Sequence, residues 1–298
     1  MTLFYSTPEG ACQTYLSLQT ADNPLALASK EHCEGLWQDF KDLADVNFLT
    51  QFPLHLHQRW FEMYLTVALI RSEYTVECPK PGPDILVTIG DQRIWIEATC
   101  ATAGEPGLPA SVPPPTLTTL EDGPTVTDKP INEMALRISN SLNTKQEAFR
   151  HYIESGIVSP DDVMVVAINI GDIPGAGSDI VELMCRTLYG LGDTQLTIDK
   201  ESSTVIDRGH AHQPAISKAG ADIPIGMQPF VDGSLSHISA VLGSWENVFN
   251  LAKSPGDGLI LTPNVTTDNV WPAGAIKLGD EWIDNGNGSL TRISHTGD

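Results

Sequence analysis

The chain has 298 residues and a mass of 32.2 kDa, enough for one large domain or two modest ones. With 41% hydrophobic and 18% charged residues, it lies outside the composition of disordered chains, and a folded globule is expected. A net charge of −21 and a pI near 4.5 exclude a protein that coats nucleic acid, because tight general binding needs a basic stripe that neutralises phosphates.

Any nucleic-acid partner is therefore expected to be held weakly or by a local basic patch. The five cysteines, Cys12, Cys33, Cys78, Cys100 and Cys185, are scattered without a CxxC pair, as reduced thiols in the cytoplasm would be. Met1 to Gly10 has no basic segment leading into an apolar run, and no stretch approaches ~18 consecutive apolar residues. The expectation is a soluble cytoplasmic protein with no membrane partner.

Leu36, Phe40 and Leu43 stand at helical spacing, which predicts a short amphipathic helix over 31–47 that ends before Pro53. Residues 58–73 form a strong helix pattern that is apolar nearly all round, so that helix is expected to be buried on most sides with Glu62 inside it. Two strand patterns follow, DILVTI at 84–89 and RIWIEATC at 93–100, joined by a Gly-Asp turn signal. Seven prolines make 101–130 a long loop, either a lid or an insertion. The 3.6-residue period resumes at 131–154 through Ile131, Ala135, Ile138, Leu142, Phe149 and Ile153, and Gly156 stops it. VMVVAINI at 163–170 is apolar without alternation, as a central strand covered on both faces would be.

Beyond this, a helix is predicted at 178–189, a polar stretch at 190–222 and a strand at 259–262. The glycines near 175 lack the residues of a phosphate loop and are expected to form a turn. The order helix, hairpin, helix, strand places the chain in the α/β class. We expect an N-terminal helical segment over 1–57, a core over 58–175 and a C-terminal α/β extension over 176–298 packed on that core.

A hairpin closed on Gly90 and Asp91 sets Ile89 across from Gln92 and, at the far end of the ladder, Asp84 across from Glu97. A three-residue loop would shift this register by one. Directly opposed carboxylates lie ~4.5 to 5.5 Å apart at Cβ and destabilise each other, unless a cation holds them. A hard ion such as Mg²⁺ or Mn²⁺ does this, and Glu62 on the preceding helix is the natural third acid. A plainer reading also stands, with Asp84 at a strand start, Glu97 on a solvated face and Glu62 paired with Arg59 or Arg137.

Pro83-Asp84, Glu97-Ala98-Thr99 and the helical Glu62 together resemble the PD-(D/E)XK, or restriction-endonuclease-like, nuclease superfamily over residues 58–170. Within it, the hairpin GPDILVTIGDQRIWIEAT is similar to that of a group of bacterial proteins. The resemblance implies a mixed sheet flanked by helices and a nuclease that hydrolyses phosphodiester bonds with Mg²⁺ or Mn²⁺ held by Glu62, Asp84 and Glu97. Thr99 departs from the motif, standing where the family carries lysine. The resemblance then implies that the amine comes from elsewhere: Lys145 as the catalytic cation, Arg137 holding a phosphate, and Lys80 a weaker candidate. If no cation reaches the acids, the fold is expected to act as a non-catalytic binding or assembly module.

The pairs His55-x-His57 and His210-x-His212 have the spacing of zinc ligands but no third ligand at a known distance, so they read as surface or packing histidines. Cys100 lies in an apolar strand and reads as core. Trp245, Trp271 and Trp282 could stack bases, but without interleaved basic residues they read as core or interface.

Overall fold

The computed structural model describes residues 2–108, 111–119, 123, 125–218, 220, 222–250, 254, 256–285 and 289–295. Four helices come first: α1 (Gln13–Gln19), α2 (Pro24–Phe40), α3 (Phe48–Gln51) and α4 (Leu56–Arg71). The helix expected over 31–47 starts earlier and ends at Phe40. Asn23 caps α2 by accepting from the Ala26 N–H at 3.0 Å, and Pro24 occupies the first turn, where its missing N–H costs nothing. Leu43 lies beyond the end of this helix and packs against the core from there.

Then come β1 (Thr75–Glu77), β2 (Ile85–Ile89), β3 (Gln92–Thr102), the short pair β4 (Thr116–Thr119) and β5 (Thr125–Asp128), α5 (Ile131–Glu154) and β6 (Val163–Asp172). The Pro-rich segment is thus not structureless, since β4 and β5 pair antiparallel within it; residues 109, 110, 120–122 and 124 of that segment lie outside the described residues. Gly156, at φ 74°, follows the last turn of α5 in the left-handed conformation that a side chain disfavours.

The rest comprises α6 (Ile180–Tyr189), the hairpin β7 (Leu191–Asp199) and β8 (Thr204–His212), the two-residue strands β9 (Ala215–Ile216) and β10 (Ile225–Gly226), and β11 (Ala240–Ser244), β12 (Ile260–Pro263), β13 (Asp280–Asp284) and β14 (Leu290–Ser294). The stretch 190–222, which the sequence marks only as polar, carries the nine-residue strands β7 and β8. Both faces of that ribbon are largely exposed, so its sequence has no buried alternation to mark it as strand.

Eight strands form one mixed sheet in the order β1-β2-β3-β6-β11-β12-β13-β14. β1, β2 and β3 are an antiparallel meander, while β3, β6 and β11 run parallel, joined by α5 and α6 as crossovers. The C-terminal strands therefore extend the sheet that the earlier strands begin, and no sheet boundary falls at 175. The protein is α/β, a large mixed sheet flanked by helices.

Strand parity sorts the core into two layers. Ile94, Ile96, Ala98, Val163 and Val165 face Trp60, Phe61 and Leu65 of α4, while Trp95, Met164, Val166 and Ile168 face Ile138, Leu142 and Phe149 of α5. Full burial of large aliphatic or aromatic side chains contributes roughly 1.5 to 3 kcal/mol each, so the two layers hold α4 and α5 firmly on opposite faces of β3. No described helix is long and apolar enough to cross a membrane.

Candidate active site

The β2–β3 register is the one that the Gly-Asp turn predicts: Ile89 pairs with Gln92 and Ile85 with Ile96, so Asp84 stands at the next ladder position, opposite Glu97. β2 ends there, leaving the neighbouring edge of β3 without a strand. Side chains satisfy it instead. Asp84 Oδ2 accepts from the Ala98 N–H at 2.9 Å, and Gln58 of α4 donates to the Ala98 carbonyl at 3.2 Å and accepts from the Cys100 N–H at 2.8 Å. A backbone group left unpaired at this depth would cost about 1 to 3 kcal/mol, which explains why Gln58 points inward.

Glu97 leaves β3 on the α5 side, where Lys145 Nζ donates to its Oε1 at 2.8 Å. Its Oε2 is buried and has no hydrogen-bond partner among the described residues. Burial raises the Glu97 carboxyl above the usual range, the Asp84 charge adds to this, and Lys145 and Lys80 oppose it. Glu62 comes from the other layer and is 3% exposed. Its carboxyl is pushed up to about 7 by burial and then by Asp84, against the pull of Arg59, whose Nη1 donates to Oε2 at 2.7 Å. The pairing of Glu62 with Arg59 is thus real, and Asp45, 3.2 Å from the same nitrogen, shares that guanidinium.

Glu62 and Glu97 therefore approach from opposite layers, and Asp84, at the open edge of β3, carries the charge that both feel. Lys80 donates to Asp84 Oδ1 at 3.4 Å, and its ammonium, despite a burial penalty, is held above its ordinary value by Asp84, Glu62 and Glu97. Among the described residues, no group of three or more His, Cys, Asp and Glu side chains is arranged as a metal cage. Asp84 thus couples electrostatically to both acids, and Glu97 keeps a bare buried oxygen, but the described side chains do not gather the three carboxylates into one ligand group.

Lys145, named from the sequence as the replacement for the motif lysine, is at the acids. Arg137 is not; its Nε donates to the Thr102 carbonyl at 2.8 Å, five residues further along β3. Sequence reasoning passed over Tyr152 and Cys78. Burial, with Glu97 and Asp84 adding to it, raises the Tyr152 hydroxyl to about 12, and burial and Glu62 raise the Cys78 thiol to about 12. The spacing of Lys145 and Tyr152, two turns apart on one helix, is the signal that could have found the tyrosine.

His57 forms a separate polar contact at the ends of the parallel strands. Its Nε2 lies 3.2 Å from Asn169 Oδ1 and its Nδ1 3.4 Å from Asp172 Oδ1, while His55 is exposed. His210 and His212 bond Gly192 O and Gln228 Oε1, each at 3.2 Å, so neither histidine pair converges on a shared ligand site. Cys100, read from the sequence as core, is half-buried and packs against the core, and burial holds its thiol well above its ordinary value. Trp271 is buried and donates to Glu281 Oε1 at 3.2 Å, the Trp245 ring packs close against Gly177, and Trp282 is half-buried beside Leu290.

Comparison of the chain with protein-family models, with curated proteins and with solved structures finds no match, so the fold and the site stand on the geometry above.

Proposed function

We propose that the protein is a metal-dependent nuclease on a restriction-endonuclease-like core, with Glu62, Asp84 and Glu97 as ligands for Mg²⁺ or Mn²⁺. The observation that carries this reading is the Lys145–Glu97 contact of 2.8 Å beside Asp84, because it supplies an ammonium where the motif lysine is missing. The order α4, β2–β3 hairpin, α5 and parallel β6 also agrees with what the resemblance implies. A divalent ion bound there would lower the pKa of water and stabilise a leaving oxygen.

The chain's own residues would do the following. Asp84 and Glu97 Oε2 offer oxygens at the open strand edge, and Glu62 turns from Arg59 toward that edge. Lys145 holds Glu97 in place and puts a positive charge where a phosphodiester gains negative charge. Lys80 partly neutralises Asp84, so the acids can stand together before a cation arrives. With a cation held by these acids, the local sign would be reversed and the acidic pocket would admit a phosphate.

A second reading, a non-catalytic binding or assembly module, is favoured by one observation: Arg59 and Lys145 already pair with Glu62 and Glu97, with no three-ligand group preformed among the described residues. Titration calorimetry with Mn²⁺ and a cleavage assay on single- and double-stranded DNA and RNA separate the two. The nuclease reading expects saturable Mn²⁺ binding that is lost in Asp84→Ala, and cleavage that falls at least about a hundredfold in Glu97→Ala, the loss of roughly 2.7 kcal/mol of transition-state stabilisation. Absence of Mn²⁺ binding at millimolar metal, or cleavage that survives Glu97→Ala, would overturn it.

A further inference from the structure

Helix α5 crosses β3 in the opposite sense, so its later part reaches Glu97 through Lys145 and its earlier part reaches Thr102 through Arg137. Beside Arg137 lies a recess of about 100 Å³, lined by the polar Glu133, Arg137, Asn140, Asn143 and Lys218 and by the apolar Leu136 and Ile225, among others. In this chain of net charge −21, most described cations sit within 4 Å of a carboxylate, as Arg59, Arg71, Arg93 and Lys145 do. Arg137 and Lys218 form no ion pair among the described residues.

The Arg137 guanidinium is fixed from one side. Nε donates to Thr102 O at 2.8 Å and Nη2 to Thr102 Oγ1 at 3.5 Å, leaving Nη1 without a hydrogen bond among the described residues. Lys218 makes no hydrogen bond among the described residues. The recess thus presents one oriented guanidinium, one uncommitted ammonium and the amides of Asn140 and Asn143, against the single carboxylate of Glu133. Such a set suits a small dianion with several acceptor oxygens. An internal phosphodiester carries one charge and continues on both sides, which calls for a groove; a terminal phosphomonoester carries nearly two and ends there.

We propose that the Arg137–Lys218 recess binds the terminal phosphate of a nucleic-acid strand whose interior reaches the acids. Eight residues of helix separate Arg137 from Lys145, about 12 Å, so the phosphate would lie a short stretch of strand from the bond at Glu97. The strand rests on the nuclease reading above, whereas phosphate capture is tested without cleavage.

The full chain in EDTA is titrated into end-labelled oligonucleotides that carry a 5′-phosphate, a 3′-phosphate or hydroxyls at both ends, and anisotropy gives each Kd. One phosphorylated end is expected to bind about tenfold or more tightly than the hydroxyl strand, in line with one or two charge-assisted hydrogen bonds. Inorganic phosphate should erase the advantage, and so should Lys218→Ala, which removes no described hydrogen bond and leaves the fold intact. Arg137→Gln should act the same way, with circular dichroism confirming its fold. Equal affinity for phosphorylated and hydroxyl strands, or a preference that survives Lys218→Ala, would overturn the proposal. Preference in EDTA without cleavage in Mn²⁺ would retain the recess and remove only the nuclease reading.

Discussion

Asp84 is the residue on which the site turns, because it takes up a backbone N–H that no strand pairs and its charge adds to the burial that raises the pKa of Glu62 and Glu97. The raised pKa values have a consequence for stability. A carboxyl whose pKa is higher in the folded than in the unfolded state binds more protons when folded, so stability falls as pH rises through the interval between the two values. For Glu62 that interval runs from about 4.5 to about 7, and the upward shift of Glu97 acts in the same direction. Urea unfolding in EDTA is expected to show stability declining across this range, with a shallower decline in Glu62→Gln. A profile that rises steadily to pH 7 in the native chain would contradict the burial of these acids. The charge pattern that predicts such a site, Pro-Asp then Glu in an apolar strand, is visible in the sequence. The direction from which each acid arrives is not, because that depends on which face of β3 each helix covers.

Elements differ in how firmly the rest of the molecule holds them. α4 and α5 are each pinned to β3 by buried side chains, and both were legible because their apolar positions recur at helical spacing. The β7–β8 ribbon is held mainly at its base, where Arg186 of α6 bonds Asp193 and also Gln213, the latter at 2.5 Å. Its outer part exposes Leu196, Ile198, Val205 and Ile206, and an isolated two-stranded ribbon adds little stability by itself. Replacing residues 197–207 by a two-residue Asn-Gly turn, which keeps Leu196 paired with Arg208, is therefore expected to shift Tm by only a few degrees, measured by thermal circular dichroism, since little core is lost. A fall of more than about 10 °C would mean that the ribbon supports the core. Strands of this kind escape sequence reading because the period-2 signal arises from burying one face, and here neither face is buried.

At the scale of the whole molecule, the sheet passes without a break from the meander that carries the acids into the C-terminal strands. β6 is the central strand covered on both faces, and β11 pairs with its other edge from Ala240↔Val165 to Ser244↔Asn169. Asn169 is fully buried and donates to Ser244 Oγ and the Glu246 carbonyl. A fragment cut at residue 175 would expose that edge and the faces covered by α6, so residues 58–175 alone are expected to be unfolded or aggregated by circular dichroism and size-exclusion chromatography. A monodisperse, folded fragment would refute this dependence. Hydrophobic period and turn residues determined α4, α5 and α6, the hairpin register that sets Asp84 opposite Glu97, and the central strand, because these signals act over a few neighbouring residues. Only the tertiary structure decided that Lys145 meets Glu97 while Arg137 turns to Thr102, and that one sheet spans both halves. Those outcomes depend on contacts between residues tens of positions apart, where packing of the two layers, and not local pattern, selects the partner.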